Sequence, residues 1–435
     1  MQQQAGKLAQ SLHTRHVVMI ALGGVIGAGF FIGSSAALSL AGPMVLLSYI
    51  LCGLFVFVTN LMMRDLAYAV PGRHSFLGQI QQAIGPRMAF VAGWTYLITW
   101  IIVLAVEAIA ITNMLAPYVP IPYVVLELGI IGLMTAVNLL SVKGYGEFEY
   151  WFATVKVVAL IAFIGIGAWL VMTHPAVNIQ HNLQNHGGFL PHGPVALLAV
   201  LPTILFSMGG SEIATIAAVE TTNSKANITR AARTIPLRIG VFYVLTIGLI
   251  LCLVPWSDVV SGQSPFLLVL NHYHIPFAAP ALFVVILTAA ISSLNSGIYA
   301  TSRVLFEMAK GGGAPSVFLA VDPKTQLPRR ALLTCVGISV AIALTAILSP
   351  DKVFALLVSL TGGFMLVYNA IIILARLKVV PTGRWICYFG LGVIGCVLLA
   401  MVMQAETRSQ IEMAGSALLL IVIADRVRSR VRSLS

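Results

Sequence analysis

Charge is scarce in this sequence. Only 9% of its residues are Asp, Glu, Lys or Arg, whereas soluble domains carry about 25%. No charged side chain occurs from Val17 to Met63, a run of 47 residues. A membrane-spanning helix needs about 20 apolar residues, so this run predicts two helices with a turn near Ala41-Gly42-Pro43. The scarcity of charge excludes a soluble fold in practice and predicts a multi-pass membrane protein.

The apolar runs also lack the ten-residue alternation of an outer-membrane β-barrel, and continuous runs predict helices. Twelve spans are predicted, at about 17–38, 42–63, 87–115, 122–142, 149–172, 194–219, 236–255, 277–302, 330–349, 353–375, 384–404 and 411–424. The sequence therefore predicts an all-α membrane protein with twelve transmembrane helices.

Features of metal proteins and of secreted proteins are missing as well. The five cysteines show no metal or disulfide spacing and are predicted to be buried small hydrophobes. Four of the histidines lie in the 173–193 loop, where the absence of ligand spacing favours solvated side chains over a metal site. The charged lead 7–16 enters a long span without a cleavage site, so no cleavable signal peptide is expected. No metal or cofactor is expected.

Positive charge outweighs negative charge, and its distribution has a topological explanation. With the N-terminus in the cytoplasm, all 25 Lys and Arg residues fall on the cytoplasmic side except Lys156, Lys352 and Arg408. This is the positive-inside pattern of a membrane protein. The tails 1–16 and 425–435 are then cytoplasmic, and the basic segment Arg426–Arg432 is predicted to meet anionic lipid head groups. A nucleic-acid partner has no other support.

The spans predict an internal repeat within a single membrane transport domain, residues 1–435. Spans 1–5 (17–172) and spans 6–10 (194–375) form two sets of five. Because five is odd, the second set enters the membrane from the opposite side and is inverted relative to the first. Spans 11 and 12 (384–424) lie outside the repeat.

Glycines interrupt two spans at matching positions. Span 1 contains Gly27-Ala28-Gly29, and span 6 contains Ser207-Met208-Gly209-Gly210. Interrupted helices at equivalent positions of two repeats mark the binding site of secondary transporters. The N–H groups freed at such a break suit a carboxylate, and the freed carbonyls suit an ammonium group. Two breaks therefore predict a clamp for a zwitterion such as an amino acid, although close helix packing is another use of such glycines.

Ionisable and polar groups inside the spans are further candidates, because a charge there costs about 2.5–3.5 kcal/mol even on insertion scales. Glu107 in span 3 could bind the substrate amine, carry a proton or make a structural hydrogen bond. Lys156 lies roughly 10 Å into span 5 and could carry a proton, replace a cation or snorkel to the surface. Glu212 follows the second break and is a gating or coupling candidate. Ser293 and Asn295 in span 8 could line the site or bond across helices.

Five stretches give the chain a resemblance to a known family. They are Arg15-His16-Val17 with Gly24-Val25-Ile26-Gly27, Asn138 to Glu149, Glu212 to Ala218, Ile275 to Ala278, and Leu294 to Tyr299 with Ser302-Arg303. With these stretches the chain resembles amino acid permeases of the amino acid–polyamine–organocation superfamily, in the amino acid transporter family and of the GABA permease type. The resemblance runs from span 1 to span 8 and continues more weakly to span 12.

The resemblance implies a five-plus-five inverted-repeat fold, discontinuous spans 1 and 6, and proton-driven uptake. It implies that Ile26-Gly27-Ala28-Gly29 holds the substrate carboxylate. It also implies that Phe206 covers the substrate from outside, and that Ser207 and Gly209 offer carbonyls to the amine. Glu212 matches a gate-associated acid. Lys156 matches a lysine that replaces a sodium ion, which makes it the preferred coupling residue.

The sequence departs from the family between spans 2 and 3. The turn reads Gly72-Arg73-His74-Ser75-Phe76 where the family shows a Thr-Gly-Ser-Phe-like turn, and Asp65 stands where Glu is usual. Both positions are predicted to be cytoplasmic, so they bear on the inner gate rather than on the substrate class.

Together these features predict a bacterial inner-membrane symporter that imports an amino acid by proton symport and alternating access, with GABA or another ω-amino acid as a candidate. Amino acid or polyamine exchange on the same fold is the alternative. A transport-inactive sensor would be expected to carry a soluble signalling domain, and an enzyme to carry a nucleophile–base–acid grouping. The expected partners are the amino acid, protons and membrane lipids, and the oligomeric state is left open.

Overall fold

Apolar helices make up most of the structure. The computed structural model describes residues 19, 24–70, 75–140, 142–184, 187–212, 224–347 and 349–434. Throughout these ranges the regular elements are helices, without strands, which confirms the all-α prediction. Helices are the expected result, because a backbone in hydrocarbon must satisfy its own hydrogen bonds.

The helices are numbered here in chain order. They are α1 (Ala28–Phe31), α2 (Ser34–Ala41), α3 (Val45–Ala69), α4 (Phe76–Ile84), α5 (Pro86–Leu115), α6 (Tyr123–Leu140), α7 (Val142–Thr173), α8 (Ile179–Gln184), α9 (Gly193–Ala199), α10 (Leu201–Met208), α11 (Ser224–Leu253), α12 (Pro265–His272), α13 (Ala278–Lys310), α14 (Arg329–Ala343), α15 (Pro350–Val379), α16 (Arg384–Met403) and α17 (Ala405–Leu434).

The number of spans agrees with a multi-pass membrane protein. In the described ranges, nine helices are long and apolar enough to cross a membrane, and Gly193–Met208 is a shorter apolar segment. The predicted turn between spans 1 and 2 is confirmed, because Gly42–Met44 forms a short 3-10 helix around Pro43. The count of twelve spans remains a prediction. Predicted spans 1 and 6 lie partly outside the described residues, and α17, which contains predicted span 12, is not among the nine helices.

Both predicted helix breaks are present. Gly27 is extended, α1 continues for only four residues, and α2 begins at Ser34. In the sixth span, α10 ends at Met208 and Gly209 is extended, with φ −67° and ψ 155°. Gly210 follows with φ 109°, a region that favours glycine. Discontinuous spans 1 and 6 are thereby confirmed, and residues 213–223 lie outside the described residues.

The buried centre of the bundle consists of α5, α13 and α15. The most apolar window of α5 is 78% buried, whereas the corresponding windows of α6 and α7 are 28% buried. The α5–α13 contact is the most extensive between two helices, and α3–α11 is also large. In the predicted repeat, span 3 is equivalent to span 8 and span 2 is equivalent to span 7. The α5–α13 contact joins the first pair, and the α3–α11 contact joins the second. The division into two inverted repeats remains a prediction.

One prediction about side chains needs correction. The cysteines were predicted to be buried, but Cys396 is exposed and Cys252 half-buried, in the first case because α16 lies at the edge of the bundle. That the basic segment Arg426–Arg432 meets lipid stays a prediction, and within this segment Arg428 contacts protein. Its guanidinium donates to the Gly312 carbonyl at 3.0 Å and stacks 4.2 Å from the Phe90 ring centroid.

The predicted inner-gate region is described only in part. Gly72, Arg73 and His74 lie outside the described residues. Ser75 caps α4 by accepting a hydrogen bond from the Gly78 amide at 3.2 Å, as serine does at a helix N-terminus. Asp65 pairs with Arg64 at 2.6 Å and with Arg376 at 3.3 Å, so this carboxylate joins α3 to α15.

Candidate functional site

The two helix breaks lie against each other in the centre of the bundle. A Cβ built on Gly210 would lie 2.6 Å from the Gly24 carbonyl oxygen, closer than real Cβ atoms come. The backbone of the sixth span therefore touches the backbone of the first, and only glycine at position 210 permits it. The structure thus brings together the two segments that the sequence singled out.

Glu107 on α5 reaches the first break. Its Oε2 accepts a hydrogen bond from the Ala28 amide at 3.1 Å, and the side chain is only 2% exposed. A Cβ on Gly27 would lie 2.7 Å from Ser293 Oγ, so Ser293 on α13 faces the same point, where it hydrogen-bonds Glu107. An ionised acceptor makes hydrogen bonds roughly twice as strong as a neutral one. The Glu107 carboxyl group thus accepts the hydrogen bond of an amide that was predicted to bind the substrate carboxylate.

Tyr243 on α11 bridges the two breaks from another side. Its hydroxyl lies 3.0 Å from the Ser207 carbonyl oxygen and 3.3 Å from the Val25 carbonyl oxygen, and can donate to either. Its ring stacks on Phe30, with centroids 3.4 Å apart and planes at 2°. The Ser207 carbonyl is one of those predicted to receive the substrate amine. A hydroxyl donor therefore occupies the position predicted for an ammonium donor.

Phe206 covers the remaining space at the first break. A Cβ on Gly29 would lie 2.5 Å from Phe206 Cε1, so the ring rests directly on this glycine. The cavity between the breaks has a volume of about 20 Å³, which is room for about one water molecule. It is lined by Gly24, Val25, Gly29, Thr99, Trp100, Val103, Glu107, Phe206, Gly209, Ser293 and Met365. An amino acid can enter only if bulky lining side chains such as Phe206 and Met365 move.

Glu212 is held just after the second break. Its Oε2 accepts from the Gly210 amide at 3.0 Å, and its Oε1 accepts from the Tyr368 hydroxyl at 3.2 Å. The neighbouring Ser211 hydroxyl accepts from Asn60 Nδ2 at 2.9 Å. The second break is thereby joined to α15 through Glu212 and to α3 through Ser211. These contacts suit the predicted gating role, because moving α10 must break them.

Lys156 lies in a second buried polar cluster. The residue is fully buried, so its ammonium group does not reach the surface by snorkelling. It interacts electrostatically with Glu149 on its own helix and with Glu107 on α5. Glu149 is also fully buried and accepts a hydrogen bond from the Ser292 hydroxyl. Lys156 therefore stands between one carboxylate of this cluster and the carboxylate at the first break.

The two candidates on α13 point to different places. Ser293 faces the first break and lines the cavity. The Asn295 side-chain carbonyl accepts from Asn138 Nδ2 at 2.6 Å and so joins α13 to α6. Asn295 also lies near Glu149. Ser293 thus belongs to the predicted substrate site, and Asn295 belongs to the cluster around Glu149.

Sequence reasoning missed Glu149 and Tyr243 as site residues. Glu149 precedes Lys156 by seven residues, two helical turns, which places both side chains on one face of α7. That spacing is a signal that the sequence contains. Tyr243 offers no comparable signal, because one tyrosine in an apolar span is typical of a core position.

No candidate metal centre accompanies these groups. Within the part of the chain that the structure describes, no cluster of three or more His, Cys, Asp or Glu side chains could hold a metal ion.

The discontinuous helices and the polar groups at their meeting point define a membrane transporter, and comparison with known proteins gives its family. The model of the family described as "Amino acid permease" matches residues 16–423. The chain belongs to the amino acid permease family. Its activity is therefore amino acid transport, and it is not an enzyme, as the sequence predicted.

Individual relatives are similar over most of their length. The "Probable GABA permease" of Pseudomonas aeruginosa is 38% identical, over 85% of this chain and 79% of the relative. The "Gamma-aminobutyric acid permease" of Bacillus subtilis is also 38% identical, over 87% and 81%. The "Aromatic amino acid transport protein AroP" of Escherichia coli K12 is 33% identical, over 92% and 91%.

A solved structure shares the fold. The manganese transporter of Eremococcus coleocola superposes with a TM-score of 0.60, over 98% of this chain and 97% of that chain. The two sequences are 12% identical. The likeness therefore concerns the transporter fold and not the substrate.

Proposed function

We propose that this chain imports an amino acid across the bacterial cytoplasmic membrane by proton symport and alternating access, with both termini in the cytoplasm. The observation that carries the proposal is the hydrogen bond from the Ala28 amide to Glu107. An ionisable side chain there competes directly with a substrate carboxylate for the same donor.

The competition links proton binding to substrate binding. While Glu107 is ionised, its negative charge lies at the Ala28 amide and repels a second carboxylate. A proton on Glu107 removes that charge and weakens its hydrogen bond to the amide. The substrate carboxylate can then take its place. Since linkage is reciprocal, each of the two ligands strengthens the binding of the other, as a symporter requires.

Lys156 is the second residue of the proposed coupling. Its ammonium group interacts with both Glu149 and Glu107, so it senses the charge on Glu107. When Glu107 is protonated, Lys156 retains Glu149 as its partner inside the bundle. A lysine fixed in this way supplies a positive charge that requires no sodium ion. We assign it the role of the proposed stand-in cation.

The substrate is proposed to be GABA or a related ω-amino acid. Two relatives that are named GABA permeases are 38% identical, whereas the aromatic transport protein is 33% identical. The lining side chains agree with a slender substrate, because Trp100, Phe206 and Met365 already fill most of the space between the breaks. An aromatic amino acid would require larger movements of these three side chains.

Uptake by purified protein in proteoliposomes tests the function. A labelled panel that includes GABA, phenylalanine and lysine is offered with and without an imposed inward proton gradient. Accumulation of one substrate class only with the gradient supports symport and names the class. Entry of label only into vesicles preloaded with unlabelled substrate would contradict symport and establish exchange.

Replacing Glu107 with Gln is expected to abolish gradient-driven accumulation while sparing exchange. Gln keeps the size of the side chain but cannot gain or lose a proton, so substrate binding no longer depends on the gradient. The measurements are net uptake under an imposed gradient and counterflow into preloaded vesicles. The matched control is Glu127→Gln, since Glu127 on α6 is a fully buried carboxyl away from the breaks. If Glu107→Gln accumulates substrate as the control does, the coupling role of Glu107 is wrong.

Replacing Tyr243 with Phe is expected to destabilise the substrate-free protein and to increase the stabilisation that substrate binding provides. The carbonyls of Val25 and Ser207 lose a donor, and an unsatisfied buried group costs about 1–3 kcal/mol. The substrate amine then restores a hydrogen bond that the variant lacks. Without substrate, the variant should therefore unfold at a lower temperature than the wild type. The rise in unfolding temperature on adding substrate should be larger for the variant than for the wild type.

Tyr273→Phe is the control for Tyr243→Phe. The Tyr273 hydroxyl also donates to a backbone carbonyl, that of Leu253 at 2.7 Å, but lies outside the site. It should lose less stability than Tyr243→Phe, because Tyr273 is only half-buried, and it should keep the substrate-induced shift of the wild type. Equal shifts in both variants would show that Tyr243 does not occupy the amine position.

A further inference from the structure

A groove opens between α3 and α11 at the ends of these helices that carry arginines. The helices touch at Gly53 and Gly240, where a Cβ on Gly53 would lie 3.6 Å from the Gly240 Cα atom. They meet again where the Tyr68 hydroxyl lies 2.7 Å from Thr229 Oγ1. Between these contacts the side chains part and leave a groove of about 580 Å³.

The groove has an apolar wall and a basic rim. Phe57, Leu61 and Leu237 supply the apolar surface. Three arginines, Arg64, Arg233 and Arg238, complete the lining, with Thr234 among them. Apolar side chains beside clustered positive charge match a molecule that has an acyl chain and an anionic head group. Basic pockets between helices at the cytoplasmic side of a membrane are typical sites for such lipids.

Among the described residues, ion pairs neutralise this charge only in part. Arg64 pairs with Asp65 at 2.6 Å, and Arg376 pairs with the same carboxylate at 3.3 Å. One carboxylate therefore serves two arginines beside the groove. Arg233 and Arg238 on α11 are both exposed. Within the described ranges the rim keeps a net positive charge, which favours an anionic occupant.

The apolar wall continues away from the arginines along the outer face of both helices. On α11, exposed Leu237, Val241 and Leu245 follow one another at intervals of four residues and so share one face. On α3, Ile50 and Leu54 are likewise exposed. Acyl chains can lie along this surface while the head group stays at the arginines. A free phosphate ion would not contact this apolar surface.

We propose that the α3–α11 groove binds an anionic phospholipid, with its phosphate at Arg64, Arg233 and Arg238 and its acyl chains along Leu237 and the apolar surface beyond. This site is separate from the substrate site at the helix breaks and is independent of the proposed transport function.

Lipid retention measured by native mass spectrometry tests the proposal. The full-length protein is taken from vesicles of phosphatidylcholine with phosphatidylglycerol, and bound phosphatidylglycerol is counted. The Arg233→Gln/Arg238→Gln variant should bind phosphatidylglycerol about thirtyfold more weakly. Removing one basic group near a membrane surface lowers the affinity for an anionic lipid roughly fivefold, and this variant removes two. The control is Arg330→Gln/Arg384→Gln, which removes the same charge from exposed positions outside the groove. Equal retention in both variants would overturn the proposal.

A second variant separates a lipid from a bare anion. Leu237→Asn keeps all three arginines but places a polar group on the apolar wall, at a side chain that is 59% exposed and so contributes little to the core. If a phospholipid occupies the groove, this variant should also lose phosphatidylglycerol. Undiminished retention, together with displacement of the lipid by inorganic phosphate, would show that the arginines bind only an anion and would overturn the proposal.

Discussion

Replacing Gly210 with Ala is expected to abolish uptake of every substrate. Gly210 has φ 109°, and a side chain held in a left-handed conformation costs about 1–2 kcal/mol. The larger effect is steric, because the new Cβ would lie 2.6 Å from the Gly24 carbonyl oxygen and 2.8 Å from its carbon. These are backbone atoms of the other break, and no rotamer change can move them. The two breaks must separate, and the substrate site is lost with their contact.

Uptake in proteoliposomes, with thermal unfolding in detergent, checks this expectation. Gly165→Ala is the matched control, because Gly165 lies within α7 and its added Cβ would meet no atom within 4 Å. Alanine is the better helix former, so the control should be as stable as the wild type and fully active. Normal uptake by Gly210→Ala would mean that the two breaks do not meet in the transporting protein.

The helix breaks could be predicted from the sequence, because clustered glycines inside an apolar run mark a break. Gly27, Gly209 and Gly210 were singled out in this way, and the structure places non-helical backbone at each. The long uncharged runs likewise predicted membrane-spanning helices. These inferences need only local information, since the identity of a residue limits the φ and ψ values it adopts.

Pairing between distant residues could not be predicted in the same way. Glu107 was a candidate from its place in an apolar span, but its partner, Ala28, is 79 residues away. Among its possible roles the sequence offered the substrate amine, whereas the structure places it on a backbone amide, where an anion belongs. The choice depends on how α5 packs against the first break. Local sequence does not encode that packing.

The missed residues show the same limit. Tyr243 serves the site through its hydroxyl, while its ring packs in the core like any aromatic side chain, stacked on Phe30. Nothing in the surrounding residues separates this tyrosine from a purely structural one. Glu149 differs, because its spacing from Lys156 is readable on a helix. Predicted span 5 begins at residue 149, so this carboxyl stood at the end of the span and was not singled out among the ionisable groups inside the spans.

Lys156 links the two polar clusters of the structure. The first break holds Glu107, and the cluster on α7 holds Glu149 and Lys156, with Lys156 interacting with both carboxyl groups. Neutralising Glu107 therefore changes the electrostatic surroundings of Lys156 without any movement of α7. The proposed site for the substrate carboxylate and the proposed coupling charge thus share one network. Substitutions in that network affect stability and coupling together, and the two effects must be separated.

Replacing Lys156 alone with Met is expected to destabilise the protein severely, and adding Glu149→Gln is expected to restore folding but not accumulation. Removing one partner of a buried ion pair leaves the other charge uncompensated, which costs about 3–5 kcal/mol. Glu149 is fully buried, so in the single variant it must either stay charged without its cation or take up a proton, and either change lowers stability. The double variant has no charge at either position and should regain most of the lost stability.

Thermal unfolding of the two single variants and the double variant gives the stability cycle, and gradient-driven uptake of the double variant gives the functional result. Restored stability without accumulation would assign Lys156 to coupling, because the structural defect has been removed and the transport defect remains. Restored stability with normal accumulation would mean that Lys156 serves only as the partner of Glu149. Full stability of Lys156→Met alone would contradict the expected cost and show that Glu149 needs no cation for folding. The double variant is needed because loss of uptake in Lys156→Met alone would follow both from a coupling role and from a purely structural role.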